Sequence, residues 1–148
     1  MKLTTKGKFA VTAMLDIAMY SDNNIKPVNL YNISERQSIS LSYLEQLFVK
    51  LRKQGLVKSY KGPGGGYILG NSLANLKISE IIQAVDDDMD ARTCRGNKNC
   101  RDNKKCITHD LWNGLTKEIY QYLDKISLGD LVINSQENKT EKIVFCKN

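Results

Sequence analysis

The sequence predicts a mainly α-helical chain with one small β-hairpin, and three observations predict it. Apolar residues recur at helical spacing over residues 9–18, 44–51 and 111–126. Between the second and third stretches, two short β-prone runs flank the turn-rich tip Lys61-Gly62-Pro63-Gly64-Gly65-Gly66. The charge is also unevenly divided. Residues 1–70 hold ten Lys or Arg and four Asp or Glu, so the whole net charge of +6 lies in that half.

The elements follow in order. From Thr5 to about Tyr20, Phe9, Ala10, Ala13, Met14, Ile17 and Ala18 share one helical face, and Pro27 breaks the chain soon afterwards. Leu30, Ile33 and the polar run to Gln37 predict a short second helix, after which Ser38-Ile39-Ser40 reads as a turn with Ser40 as N-cap. The stripe Leu44, Leu47, Phe48 and Leu51 predicts a third helix from Leu41 to near Gly55. Two helices joined by so short a turn form a helix-turn-helix, whose second helix suits the major groove. Residues 56–60 and 67–69 pair as a β-hairpin wing, completing a winged helix-turn-helix domain over residues 1–72. A connecting helix is expected within residues 73–90, at 76–85. A ligand-bearing loop spans 91–109, and a long helix with a short C-terminal one spans 107–133. The polar residues 134–148 read as a disordered tail.

A basic half with a glycine-rich tip suits a nucleic-acid partner, because phosphate neutralisation supplies much of such a module's affinity. On the third helix Ser40, Ser42, Tyr43, Glu45 and Gln46 are candidates for the DNA face. Gln46 suits adenine, and the serines suit bases or phosphate. Lys50, Arg52 and Lys53 are placed to grip the backbone. Glu45 repels phosphate and accepts only from a donor such as cytosine N4. It reads either as a device against unwanted sites or as a solvated carboxylate paired with Lys50 or Lys53. In the wing, Lys61, Gly62, Pro63 and Gly64 form the tip, where glycines let the backbone approach a groove wall and Lys61 adds charge. A nucleotide-binding loop is discounted, since Tyr67 stands where a lysine and a hydroxyl should follow the last glycine.

Cys94, Cys100, Cys106 and His109, three of the four cysteines and the only histidine, cluster between the wing and the long helix. Thiolate and imidazole are ligands for iron–sulfur clusters or zinc. Structural zinc usually takes ligands in close pairs, whereas five residues separate each successive pair of these cysteines, and only Cys106 and His109 are close. The wider spacing favours an iron–sulfur cluster, with zinc the alternative. Arg92, Arg95, Lys98, Arg101, Lys104 and Lys105 surround the ligands against a lone Asp102. These cations favour thiolate and offset a two-iron, two-sulfide core that with three thiolates carries about −1.

Leu111, Leu115, Ile119, Tyr122, Leu123 and Ile126 form a broad apolar stripe that needs a partner. It packs either on its own domain or, the preferred reading, on a second copy, because helix-turn-helix dimers match two-fold operators. No apolar run approaches the ~20 residues that cross a membrane. The opening Met-Lys-Leu-Thr-Thr-Lys reads as no secretory leader, so a cytoplasmic homodimer is expected. There, clustered cysteines mean metal or redox chemistry more often than disulfides. Catalysis is poorly supported, since the only histidine belongs to the ligand group. An electron-transfer protein would use the same ligands but has no need of a winged helix.

Taken together, residues 3–132 resemble a bacterial family of winged-helix transcription repressors that includes iron–sulfur cluster regulators. The matching stretches are GKFAVTAMLD at 7–16, ISERQSISLSYLEQLF at 33–48, GPGGGY at 62–67, the cysteine–histidine spacing and SLGDLV at 127–132. The resemblance implies a homodimeric transcription factor that binds a double-stranded DNA operator. It also implies one 2Fe–2S cluster per subunit on Cys94, Cys100, Cys106 and His109, donated by the cluster-assembly machinery, whose genes it regulates according to cluster supply. It further implies two operator classes, one requiring the cluster and one accepting apo protein, with Glu45 the candidate for excluding apo protein from the first. Lys61 stands where such wings often present arginine, and the tail with Cys146 lies beyond the resemblance.

Overall fold

Small residues on one face of helix α1 (Thr5–Tyr20) let its neighbours approach closely: Ala10 and Ala13 are fully buried, as are the larger Met14 and Ile17 beside them. In the computed structural model, which describes residues 4–86, 97 and 104–137, α1 touches α2 (Leu30–Gln37), α3 (Leu41–Lys53), α4 (Ile78–Val85) and α6 (Leu128–Glu137). The hairpin β1 (Val57–Tyr60) and β2 (Gly66–Leu69) follows α3, and α5 (His109–Asp124) lies between α4 and α6 in sequence. The described chain is therefore mainly α with one antiparallel hairpin.

An ion pair with a buried carboxylate links the first two helices. Asp16 on α1 is fully buried. It accepts from Arg36 Nε at 3.0 Å and Nη2 at 2.5 Å, and from Gln37 Nε2 at 2.6 Å. The hydrogen bonds to Asp16 raise the Arg36 pKa above its ordinary value, and the guanidinium also sits 4.1 Å above the Tyr20 ring centre. Apolar periodicity gives no sign of this clamp.

Local chemistry closes the helix-turn-helix. Asn29 caps α2 by accepting from the Tyr31 amide at 2.7 Å, and Ser38 ends it in the left-handed conformation at φ 54°. Ile39 is buried in the turn, and α3 starts at Leu41. Ser40 occupies the predicted N-cap position but makes no side-chain cap; its hydroxyl lies 3.1 Å from that of Ser42 instead. Leu44, Leu47, Phe48 and Leu51 of α3 enter the core.

The hairpin pairs Val57 with Leu69 and Tyr60 with Gly66. Val28 adds a short third edge, exchanging backbone hydrogen bonds of 2.9 and 2.8 Å with Tyr67, whose ring packs edge-on to Phe48 at 4.7 Å. Gly66 is required here: its φ is +154°, and a Cβ would lie 2.3 Å from the Val28 carbonyl oxygen.

Helix α4 starts at Ile78 rather than at residue 76, and its Ile78, Ile81, Ile82 and Val85 belong to the same core as α1 and α3. The α5–α6 corner is stitched to the segment before α4. Ile78 N–H donates to Ile126 at 3.0 Å, Leu128 N–H to Leu76 at 2.8 Å and Gly129 N–H to Leu73 at 3.1 Å. The Ser79 hydroxyl adds a bond to Asp124 at 2.9 Å, and Leu128 is fully buried.

Helix α5 spans His109–Asp124, starting two residues after the expected 107 and ending before Ile126, where the backbone turns to make these stitches. Helix α6 in contrast runs to Glu137, past residue 134 where a polar tail is expected. Ser127 and Asp130 start it with reciprocal caps. Asp130 accepts from the Ser127 amide and hydroxyl, both at 2.8 Å, and its own amide donates to Ser127 Oγ at 3.1 Å. Among the described residues no helix is long and apolar enough to cross a membrane.

Candidate functional site

Two regions carry the chemistry: the outer face of α3 with the hairpin tip, and the segment from the end of α4 to the start of α5. On α3 the core-facing residues fix which others point outward. Ser42, Glu45, Gln46, Arg52 and Lys53 are exposed, as is Ser40 just before the helix. The tip residues Lys61, Gly62, Pro63 and Gly64 are exposed as well, with Gly62 and Gly64 at φ 93° and 74°. The fold thus presents one polar helix face and one glycine-built projection, the two parts with which a winged helix grips duplex DNA.

Two candidates for that face have other partners. Tyr43 is half-buried, with its ring edge-on to Phe9 at 5.6 Å, so much of its surface is spent on packing. Lys50 points along the flank of α3, where Nζ donates to the Val85 carbonyl at 3.3 Å. No ion pair links Glu45 to Lys50 or Lys53 among the described residues, where Arg36 pairs with Asp16 and Lys105 with Asp110. Periodicity gave no reason to single out Val49, which is 45% exposed on the outward side of α3.

The second region begins at Asp86, where α4 ends; its carboxylate accepts from the Thr4 hydroxyl. Cys94 and Cys100 lie outside the described residues. Cys106 and His109 sit one turn apart at the start of α5, joined by a hydrogen bond from the His109 amide to the Cys106 carbonyl at 3.1 Å. That turn brings positions i and i+3 to one side. His109 is only 4% exposed, on a helix whose residues otherwise mostly face outward. Cys106 Sγ is 3.7 Å from the Thr108 hydroxyl, and Lys105 pairs with Asp110 at 2.6 Å on the surface. Among the described residues no three His, Cys, Asp or Glu side chains converge, as expected when two of the four candidate ligands lie outside them. The donor set fits a cluster or zinc: a thiol and an imidazole share one turn at a helix N-terminus, where the backbone dipole favours an anionic centre.

The apolar stripe of α5 is divided. Ile119, Leu123 and Ile126 pack against the chain's own core, whereas Leu111 and Tyr122 remain 62% and 65% exposed with Leu115 between them. Trp112, also exposed, widens this outer face.

The sequence signature of the Rrf2 family, described as an iron-dependent transcriptional regulator, matches residues 3–134. The HTH-type transcriptional regulator IscR of Klebsiella pneumoniae (strain 342) is 53% identical over 93% of this chain and 82% of its own length. IscR of Escherichia coli O1:K1 / APEC is 53% identical over 93% and 83%. Among solved structures, T. potens IscR superposes with a TM-score of 0.76 at 34% identity, covering 99% of this chain and 94% of that one. CymR, the global cysteine regulator of B. subtilis, superposes with a TM-score of 0.72 at 29% identity, covering 88% and 95%.

Proposed function

The chain belongs to the Rrf2 family of iron-dependent transcriptional regulators, and from that premise we propose that it is a cluster-sensing repressor of IscR type, whose 2Fe–2S occupancy sets its affinity and selectivity for DNA operators. As a member of that family it is a DNA-binding regulator and not an enzyme. The observation that carries the proposal is the Cys106–His109 turn at the head of α5, with His109 buried. Cys94 and Cys100 complete the ligand set, one cluster per subunit. The protein acts as a homodimer through Leu111, Leu115 and Tyr122 of α5, and cluster-assembly proteins are the donors.

Cys94, Cys100, Cys106 and His109 would hold a 2Fe–2S cluster, which when bound would cross-link α5 to the segment that follows α4. The rest is the work of the chain itself. Cys106 and His109 would attach that link to the start of α5, and the backbone bonds to Leu73, Leu76 and Ile78 hold the far end of α5 on the segment that leads into α4. The segment carrying Cys94 leaves the end of α4 immediately beyond Val85 and Asp86, where Lys50 and Thr4 make contact. Ser40, Ser42, Gln46, Arg52 and Lys53, with the tip at Lys61–Gly64, meet the operator. Glu45 excludes the apo form from one operator class by setting an unpaired carboxylate against phosphate.

The test is iron, sulfide and zinc analysis, with an absorption spectrum, of protein purified without oxygen, repeated for His109→Ala. Two irons and two sulfides per chain, lost or spectrally shifted in His109→Ala, are expected. Stoichiometric zinc without sulfide would sink the cluster assignment.

A further inference from the structure

We propose that Val49 reads the 5-methyl group of a thymine in the operator's major groove. The inference rests on the DNA-binding reading above and deepens it by assigning an apolar contact to the recognition helix.

Successive residues of an α-helix are turned by about 100°. The core side of α3 is fixed by Leu44, Leu47, Phe48 and Leu51, all buried. The opposite direction falls among Ser42, Gln46, Val49 and Lys53, all exposed. Val49 therefore stands on the outward face, about 30° from its midline on the Glu45 side, next to Gln46 and Lys53. Glu45 and Arg52 form one edge of that face, and Lys50, turned toward α4, marks the other.

A valine in this place is a poor choice for the helix itself. Its β-branch lowers helix propensity, and at 45% exposure it buries only part of its surface in the fold. In the major groove the thymine methyl is the apolar feature that distinguishes one base pair from another. The branched side chain offers two methyl groups with little rotamer freedom to lose. Gln46, which suits adenine, lies one turn earlier, a rise of about 4.5 Å against ~3.4 Å between base pairs. The two residues are thus spaced to read neighbouring steps, with Lys53 beyond them toward the backbone.

The experiment uses the full-length protein, with and without its cluster, to select bound sequences from a randomised duplex pool. In the selected operator each dT of one half-site is then replaced in turn by dU, which lacks only the methyl group, and affinity is measured by fluorescence anisotropy. One dT→dU replacement is expected to weaken the wild-type protein by about three- to tenfold. Val49→Ala should bind the unmodified operator more weakly by a similar factor and show no further loss at that dU. Val49→Thr, which keeps the branch and one methyl group, should fall between. Tolerance of every dU by the wild type, or an undiminished dU penalty in Val49→Ala, overturns the proposal while leaving operator binding intact. Enrichment of no sequence in either form overturns the DNA reading and this inference with it.

Discussion

The ammonium group of Lys50 on α3 donates to the backbone carbonyl of Val85, 3.3 Å away at the C-terminal end of α4. The recognition helix is thereby tied to the residue before Asp86, from which the cysteine-bearing segment departs. Any rearrangement of that segment that moves the end of α4 must strain or release this bond. A lysine freed from it gains a phosphate as its alternative partner.

Lys50→Met keeps the side-chain length and removes the charge. The ratio of operator affinities between cluster-bound and apo protein should shrink several-fold in this variant, measured by anisotropy titration of both forms. A plain phosphate contact would instead weaken both forms equally and leave the ratio unchanged.

Asp16→Asn leaves the partly exposed Arg36 and the buried Gln37 facing a neutral side chain. Weakening the charge-assisted hydrogen bonds of a buried carboxylate costs about 2 kcal/mol. The urea midpoint should fall accordingly, with the slope of the transition unchanged. An unaltered midpoint would show that the clamp adds no stability.

Gly66→Ala puts a Cβ against the Val28 carbonyl and strains a backbone at φ +154°. The wing should lose its tie to residue 28, so operator affinity drops while iron and sulfide content stay the same. Parallel titration and metal analysis separate the two effects.

The Asp130 carboxyl is held below its ordinary value, first by the hydrogen bond from the Ser127 amide and then by the Ser127 hydroxyl. A depressed folded-state value stabilises above the unfolded one, about pH 3.9, and the benefit is lost as pH falls through the lower folded value. Asp130→Asn should therefore have a lower Tm than wild type at pH 7, and the gap should close on acidification through that range. A gap constant with pH would remove the charged cap from the stability of α6.

The helices of the winged part were legible because Leu44, Leu47, Phe48 and Leu51, and likewise Ala10, Ala13, Met14 and Ile17, repeat at helical spacing and face one core. The hairpin was legible from its glycine tip. What escaped the sequence depends on partners distant along the chain. Nothing local marks Asp16 as the buried counter-ion of Arg36, 20 residues away, or Lys50 as a donor to Val85, 35 residues away. The extension of α6 to Glu137 was hidden because Asn134, Gln136 and Glu137 lack apolar periodicity, while the Ser127–Asp130 cap starts the helix and Leu128 anchors it. In α5 a single stripe serves two surfaces. Ile119, Leu123 and Ile126 turn to the core while Leu111 and Tyr122 stay outside, a division that spacing alone does not make. The Cys106–His109 pair was legible as a motif, and the burial of His109 at the head of α5 is what the fold adds.

Operator binding by one preparation in two states is the most direct test of cluster sensing. Protein loaded with iron and sulfide without oxygen, and the same protein after chelation, are titrated into a duplex selected by the loaded form. A difference of tenfold or more, equivalent to about 1.4 kcal/mol of coupling, is expected, with the loaded form binding tighter. Equal affinity in both states on every duplex the loaded form selects, with iron and sulfide verified in the loaded sample, would contradict it.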